Sequence, residues 1–343
     1  MIKSCPVCNS TSSKKIFLQN KINKYNLNYF DNLKDAIKAQ TVKVNFVECK
    51  KCEFLFNKSY KQLDYKVNYN ANRSYSVTFD NYLDEVVNYL DKFIFKNYKI
   101  ENVLEIGFGD AEFLKKLSKI KNNNFKKILG FDPSSNISKH KSVKGMRLVK
   151  DYYTRKISFQ PDLLILRHTL EHISDVSSFL KTILHKNPQF FFIEVPCKSF
   201  VYKDNIHYFH NEHCSYFDDY SIQVLLKKFG YKKVNIKKVF NGENILSILI
   251  KNKKKINIKK KISIVSTKFN LNKFKNKINK KLNLNNDFFW GAAGRGVVLF
   301  NILDINYKKC KFVVDINKEI QGKFLGVSGI KIISPNDLPK YIN

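Results

Sequence analysis

Nowhere in the 343 residues do about 18 apolar residues run together, the length a helix needs to cross a bilayer. No membrane partner is expected. The start, MIKSCPVC, also lacks the apolar region of a secretory leader, so a cytoplasmic location is expected. Outside an oxidising compartment, seven cysteines do not read as a disulfide framework. Acidic residues are few, 29 against 62 lysines and arginines, for a formal net charge of +33. Arginine is scarce as well. The basic excess is almost all lysine, with heavy use of Asn and Ile, which is a compositional bias rather than a base-reading surface. That argues against direct nucleic-acid binding and for a solvated lysine surface that attracts anionic substrates. No internal repeat of a solenoid kind is present, and nothing in the sequence sets an oligomeric state.

What is there suffices for two or three domains, with 43% of residues hydrophobic. Residues 1–65 hold two Cys-x-x-Cys pairs and little periodic apolar pattern. From Ser76 to Tyr98 the spacing is helical, with Val86, Leu90, Phe93 and Ile94 on one face. Strands are expected at 102–106, 127–132, 162–167, 190–195, 234–239 and 245–250, and helices at 111–120, 176–184 and 220–230. Near-continuous apolar strands between amphipathic helices imply a mostly parallel sheet covered on both faces. The last two strands have no long helix between them, so an antiparallel edge hairpin is expected. A lysine- and asparagine-rich stretch at 251–286, part helix and part linker, precedes a second strand–glycine turn–helix unit at 287–303. Two more strands follow at 310–315 and 329–335. The expected division is a zinc-binding module (1–68), an α/β core (69–252) and a small C-terminal α/β domain (253–343).

Cys5, Cys8, Cys49 and Cys52 form two C-x2-C pairs forty residues apart. Each pair can set two thiolates on one side of a tight turn, and two turns make a closed tetrahedral zinc site, structural rather than catalytic. Glu105-Ile-Gly107-Phe-Gly109-Asp110 lies directly between a strand and a helix, where glycines permit a tight turn and close approach to a ligand. Asp132, ending the next strand, is placed to accept hydrogen bonds from ribose hydroxyls. His207, His210, Glu212, His213 and Tyr216 crowd between the strand FFFIEVP and the next helix, although the whole chain has only seven histidines. His172 follows the strand DLLILR on the same rim. WGAAGRG at 290–296 is a second glycine turn.

LEIGFGDAEFL, then GFDPS, then DLLILRHTLEHI resemble the class I S-adenosylmethionine (SAM)-dependent methyltransferases over roughly residues 70–250. The resemblance implies a Rossmann-like core in which Glu105, Gly107 and Gly109 line the methionine and ribose region. It also implies that Asp132 binds the ribose, with Asp151 and Tyr152 near the adenine. The paired knuckles, FHNEHCSYF and the C-terminal WGAAGRG…FVVDINKEIQGKFLGVSGIKIISP together resemble the three-domain sugar C-methyltransferases, which methylate C3 of nucleotide-linked 4-keto deoxysugars. There the corresponding loop reads Tyr-His-Glu-His, against His210-Asn211-Glu212-His213 here. That resemblance implies His213 as the base that generates an enolate, Glu212 as its orienting partner, and His172 as a second acid/base or substrate ligand. His210, Asn211 and Tyr216 become candidate substrate contacts. The same resemblance implies that the C-terminal domain is Rossmann-like and completes the substrate cleft without binding SAM. The alternatives are transfer to oxygen or nitrogen of a sugar or small metabolite, or a basic zinc-ribbon RNA-binding protein with a degenerate methyltransferase core.

Overall fold

The computed structural model describes residues 2–65, 76–120, 125–134, 144–203, 205–252, 271–283 and 288–341. The expected boundary at 68/69 falls outside them, as do residues 253–270 of the expected linker helix.

The N-terminal segment comprises β1 (Ser13–Asn23), β2 (Tyr29–Phe30), α1 (Leu33–Ile37), β3 (Thr41–Cys49) and β4 (Leu55–Asn57). Strands β1, β3 and β4 pair antiparallel in that order. The length of β1 and β3 was not visible as alternation, because β1 interrupts its apolar positions with lysines and carries register shifts.

The core runs α2 (Val77–Leu90), β5 (Asn102–Ile106), α3 (Glu112–Leu117), β6 (Lys127–Phe131), β7 (Met146–Val149), β8 (Leu163–Arg167), α4 (Val176–Ile183), β9 (Phe190–Pro196), α5 (Lys198–Val201), β10 (Ser215–Tyr216), α6 (Asp219–Lys227), β11 (Tyr231–Val239) and β12 (Asn244–Lys251). Seven of its strands form one sheet in the order β11-β12-β9-β8-β5-β6-β7. The five from β9 to β7 are parallel, whereas β12 runs antiparallel to both β9 and β11. The expected edge hairpin is therefore present.

Alternate residues of the apolar strands feed opposite layers. Leu163, Ile165, Phe190 and Phe192 pack with Val86, Leu90 and Phe113 from α2 and α3. Leu164, Leu166, Phe191 and Ile193 pack with Leu180, Ile183, Ile222 and Leu225 from α4 and α6. The helices start where side chains take the orphan amides: Ser76 accepts from Phe79 N–H, Asp175 from Ser178, and Asp218 with Ser221 closes a capping box.

Strand β5 has β6 on one side and β8 on the other. The polypeptide thus leaves neighbouring strands in opposite directions, which makes the carboxyl ends of β5 and β8 the switch point at which open α/β sheets bind ligands.

The C-terminal part adds α7 (Leu271–Asn279), β13 (Phe289–Trp290), α8 (Gly294–Leu303), β14 (Phe312–Val314), β15 (Phe324–Leu325) and β16 (Lys331–Ile333). Its sheet, β13-β14-β16-β15-β2, borrows β2 from the N-terminal segment. Reciprocally, β10 of the core completes the N-terminal sheet by pairing Ser215 with Phe56 and Tyr216 with Leu55. These exchanges tie the histidine-rich segment to both flanking sheets.

Candidate active site

The first glycine turn is held by its backbone. Gly107, at φ +80°, donates its N–H to the Phe131 carbonyl at 2.7 Å. A Cβ there would stand 2.0 Å from Thr169 Oγ1, so only glycine fits. Gly109, at φ +57°, has open space where a Cβ would stand, and its N–H donates to Asp132 Oδ2 at 2.9 Å. The other Asp132 oxygen accepts from the Ser134 N–H at 2.8 Å and the Ser134 hydroxyl at 2.7 Å. The aspartate is thus aligned at the mouth of the turn, beside vacant room above Gly109.

Glu105 lies wholly buried beneath this turn, and its Oε2 has no hydrogen-bond partner among the described residues. Burial pushes its carboxyl up to about 8; Arg167 opposes that, while Glu194, Asp132 and Asp110 add to it. Asp151 and Tyr152 follow β7 at the surface, where the Tyr152 N–H donates to Asp151 Oδ1 at 2.8 Å. Tyr152 is 46% exposed; its neighbour Tyr153 is the buried ring, edge-on to Phe131.

The histidines converge. The rings of His172 and His213 lie 4.9 Å apart, and those of His210 and His213 4.1 Å. Tyr216 stands 5.6 Å from His213. His172 Nδ1 lies 2.8 Å from the Glu212 carbonyl, which can only accept, so Nδ1 carries the proton. Tyr65, which the sequence motifs do not single out, places its hydroxyl 2.9 Å from the same nitrogen.

The Glu212 carboxylate takes the Asn26 N–H at 2.8 Å. Its carbonyl, not its carboxylate, orients an imidazole, and that imidazole is His172. Burial raises the Glu212 carboxyl to about 7 against the opposing Asn26 and Leu27 amides. Asn211 donates to the Lys24 carbonyl at 3.1 Å, and buried Tyr216 donates its hydroxyl to the Tyr208 carbonyl. Both side chains therefore fasten the loop. Burial presses His210 down to about 3, with help from His172, His207 and Arg295, and His207 down to about 4, so both stay neutral near pH 7.

A second set of residues escapes the sequence motifs. Arg167 and Glu194 face each other across β8 and β9, with Nε to Oε2 at 2.6 Å. Tyr82 donates to Glu194 Oε1 at 2.6 Å, and His168 Nε2 lies 2.9 Å from that oxygen. Burial would raise the Glu194 carboxyl, but Arg167 and His168 outweigh it and hold it below the usual carboxylate range. A signal exists nonetheless: each of two adjoining apolar strands carries one buried charge at matching register.

At the knuckles, Cys5 and Cys52 lie 3.5 Å apart, as do Cys8 and Cys49, and all four sulfurs fall within 4.8 Å of one another. A tetrahedron with about 2.3 Å zinc–sulfur bonds has edges of about 3.8 Å, so the four thiols fit zinc. Each turn closes alike: Asn9 donates to the Cys5 carbonyl and Glu53 to that of Cys49, with both donors at positive φ.

The second glycine turn copies the first. Asp315 accepts from the Ala292 N–H at 2.7 Å and from the Asn317 N–H at 2.8 Å. Arg295 reaches back to the Tyr208 hydroxyl at 2.9 Å and to Glu243 at 3.2 Å.

Residues 78–236 match the family model of a methyltransferase domain, and residues 262–341 that of a C-methyltransferase C-terminal domain. No curated protein matches the sequence. Among solved structures, the methyltransferase domain of bacterial CtHen1 shares 16% identity, over 51% of this protein and 98% of its own length, with a TM-score of 0.39. A complex of the Haloferax volcanii Trm112 methyltransferase activator and a putative methyltransferase gives 10% identity, over 52% of this protein and 96% of the other, at TM-score 0.41. The N-methyltransferase NodS from Bradyrhizobium japonicum WM9 gives 11%, over 54% of this protein and all of its own length (100%), at 0.36. The sheet order and the matched domain support a class I, SAM-dependent methyltransferase. The last third of the protein includes a part similar to the C-terminal domain of C-methyltransferases.

Two expected results follow from this turn. Asp132→Ala should weaken SAM binding by about 1.5–3 kcal/mol, read by calorimetry, because a charged acceptor is lost. Unchanged affinity would remove Asp132 from the site. Glu105 has its folded value raised above that of the unfolded polypeptide, so the stability it contributes is present at low pH. It is lost as pH rises from about 4.5 towards about 8. Without SAM, Glu105→Gln should therefore gain on wild type in unfolding free energy, read by denaturant titration, between pH 5 and pH 8, by on the order of a few kcal/mol. A constant difference across that range would contradict it.

Proposed function

We propose that this protein methylates a ring carbon of a nucleotide-linked keto-deoxysugar, with His213 removing the proton beside the ketone. One observation carries this reading: the segment 168–172 sets Thr169 against Gly107 and His172 against His213. A turn suited to the methyl donor and a cluster of imidazoles thus share one short loop. SAM supplies an electrophilic methyl on a sulfonium centre, and Glu105, Gly107, Gly109 and Asp132 are the residues to hold it. Asp151 and Tyr152 rim its adenine end.

Carbon methylation requires an enolate, and a neutral imidazole near pH 7 is suited to forming one. The backbone N–H of His213 donates to His210 Nδ1 at 3.4 Å, which ties the proposed base to a histidine that stays neutral. Glu212 keeps His172 oriented through its carbonyl, and His172 is the second acid/base group. The match of residues 262–341 to a C-methyltransferase part supports carbon as the acceptor. The net charge of +33 suits a substrate bearing a diphosphate. The four cysteines hold structural zinc in this reading.

The test is incubation with SAM and a panel of nucleotide-linked keto sugars, with the product examined by mass spectrometry and NMR. A new methyl on a ring carbon is expected. A methoxy signal would return the acceptor to oxygen.

A further inference from the structure

Glu171 is a buried carboxyl beside the histidine cluster. Its side chain is 0% exposed, and neither carboxylate oxygen accepts a hydrogen bond among the described residues. His168 Nδ1 lies 3.4 Å from one of those oxygens. A carboxylate buried in this way needs a positive charge close by or it becomes costly. Donor atoms of Glu171, His172 and His213 lie within 4.8 Å of one another. We propose that these three side chains bind a divalent transition-metal ion, at a site separate from the four cysteines.

The supporting geometry comes from His172. Its Nδ1–H is given to the Glu212 carbonyl at 2.8 Å, with the Tyr65 hydroxyl beside it at 2.9 Å. The lone pair of the neutral ring is therefore on Nε2. Metal-ligating histidines are held in this way, one nitrogen donating to a carbonyl while the other ligates. Two imidazoles and a carboxylate suit zinc, cobalt, nickel or ferrous iron, and exclude the hard ions that want oxygen alone. Three protein ligands leave a coordination position open to water or to an oxygen of a bound acceptor, unlike the closed cysteine site. Ligands about 2.1 Å from one ion stand about 3.4 Å apart, a spacing small side-chain rotations can reach.

The metal site does not depend on the proton chemistry proposed above. Only its consequence rests on that reading: the ion and the substrate's proton compete for His213, so occupancy switches the base off.

The test uses the full-length protein with its cysteine site loaded with zinc, titrated with cobalt(II). One further equivalent is expected, showing weak visible bands of nitrogen and oxygen donors without new thiolate-to-cobalt absorption. Glu171→Gln and His172→Ala should each weaken cobalt binding by at least about tenfold. SAM binding by both variants checks that they fold. No cobalt uptake by the wild type at millimolar cobalt overturns the site and leaves Glu171 with His168 as its nearest ring. Uptake unchanged in both variants overturns it equally, as adventitious surface binding. Because the readout is metal and not methyl transfer, either failure leaves the methyltransferase reading intact.

Discussion

Cys49→Ser is expected to abolish stoichiometric zinc binding and to loosen the active site from a distance. Structural zinc in small peptides has an apparent binding free energy of about 10–16 kcal/mol, most of it expressed as folding. Here the knuckles are not isolated. Cys5, Val7, Cys49, Cys52, Phe54 and Phe56 belong to the apolar cluster that includes Phe217, Ile222 and Leu225. Strand β3 ends at Cys49, and the backbone returns through the second knuckle into β4, whose partner is β10. Ser215 in that strand is two residues beyond His213. Loss of the metal therefore frees the β3–β4 turn and, through it, one anchor of the histidine loop. The glycine turn after β5 belongs to a different sheet and should be spared. Turnover should fall well below wild type while SAM affinity changes little. A low-temperature unfolding step should appear that chelators reproduce in wild type. Equal zinc content in variant and wild type would remove these cysteines from the site.

The sequence is most informative where a pattern repeats locally. Six of the seven strands of the core sheet, the edge hairpin, the glycine turn and the cysteine pairs each declare themselves within a dozen residues. The two-residue strands β2 and β10 do not, because a pair of residues has no period and their partners lie far away in sequence. That is why the histidine loop can be located from sequence but not its attachment to the N-terminal sheet. Roles within the loop are obscured for a related reason. Glu212 adjoins His213 in sequence, yet its carboxylate caps Asn26, 186 residues away. Sequence spacing says nothing of such a contact. Tyr65, set beside His172 by the same N-terminal packing, is equally hidden. Arg167 and Glu194 are legible as lone opposite charges in adjoining apolar strands. The burial of Glu171 is not.

His213→Asn should retain SAM and acceptor binding and lose about 10²–10⁴-fold in turnover, the usual contribution of a general base. Asparagine keeps a similar shape and a hydrogen-bonding side chain but cannot hold the proton. The backbone N–H at 213, which donates to His210, is unchanged by the substitution. A carbon acid also leaves a trace that an oxygen acceptor does not. In heavy water without SAM, wild type should exchange the proton beside the ketone, and the variant should not. Exchange separates proton removal from methyl transfer, so it reports on the base even where SAM binding limits the overall rate. Glu212→Gln sorts the remaining roles. A glutamine at this position leaves the carbonyl that holds His172 in place, and the side-chain oxygen can still accept from Asn26. Its loss in turnover should thus be smaller than that at His213. A larger loss at Glu212, whose carboxyl burial raises to about 7, would move the base to that carboxylate. Exchange persisting in His213→Asn with turnover intact would leave His213 a packing residue of the cluster and make His172, with its proton fixed on Nδ1, the group to substitute next.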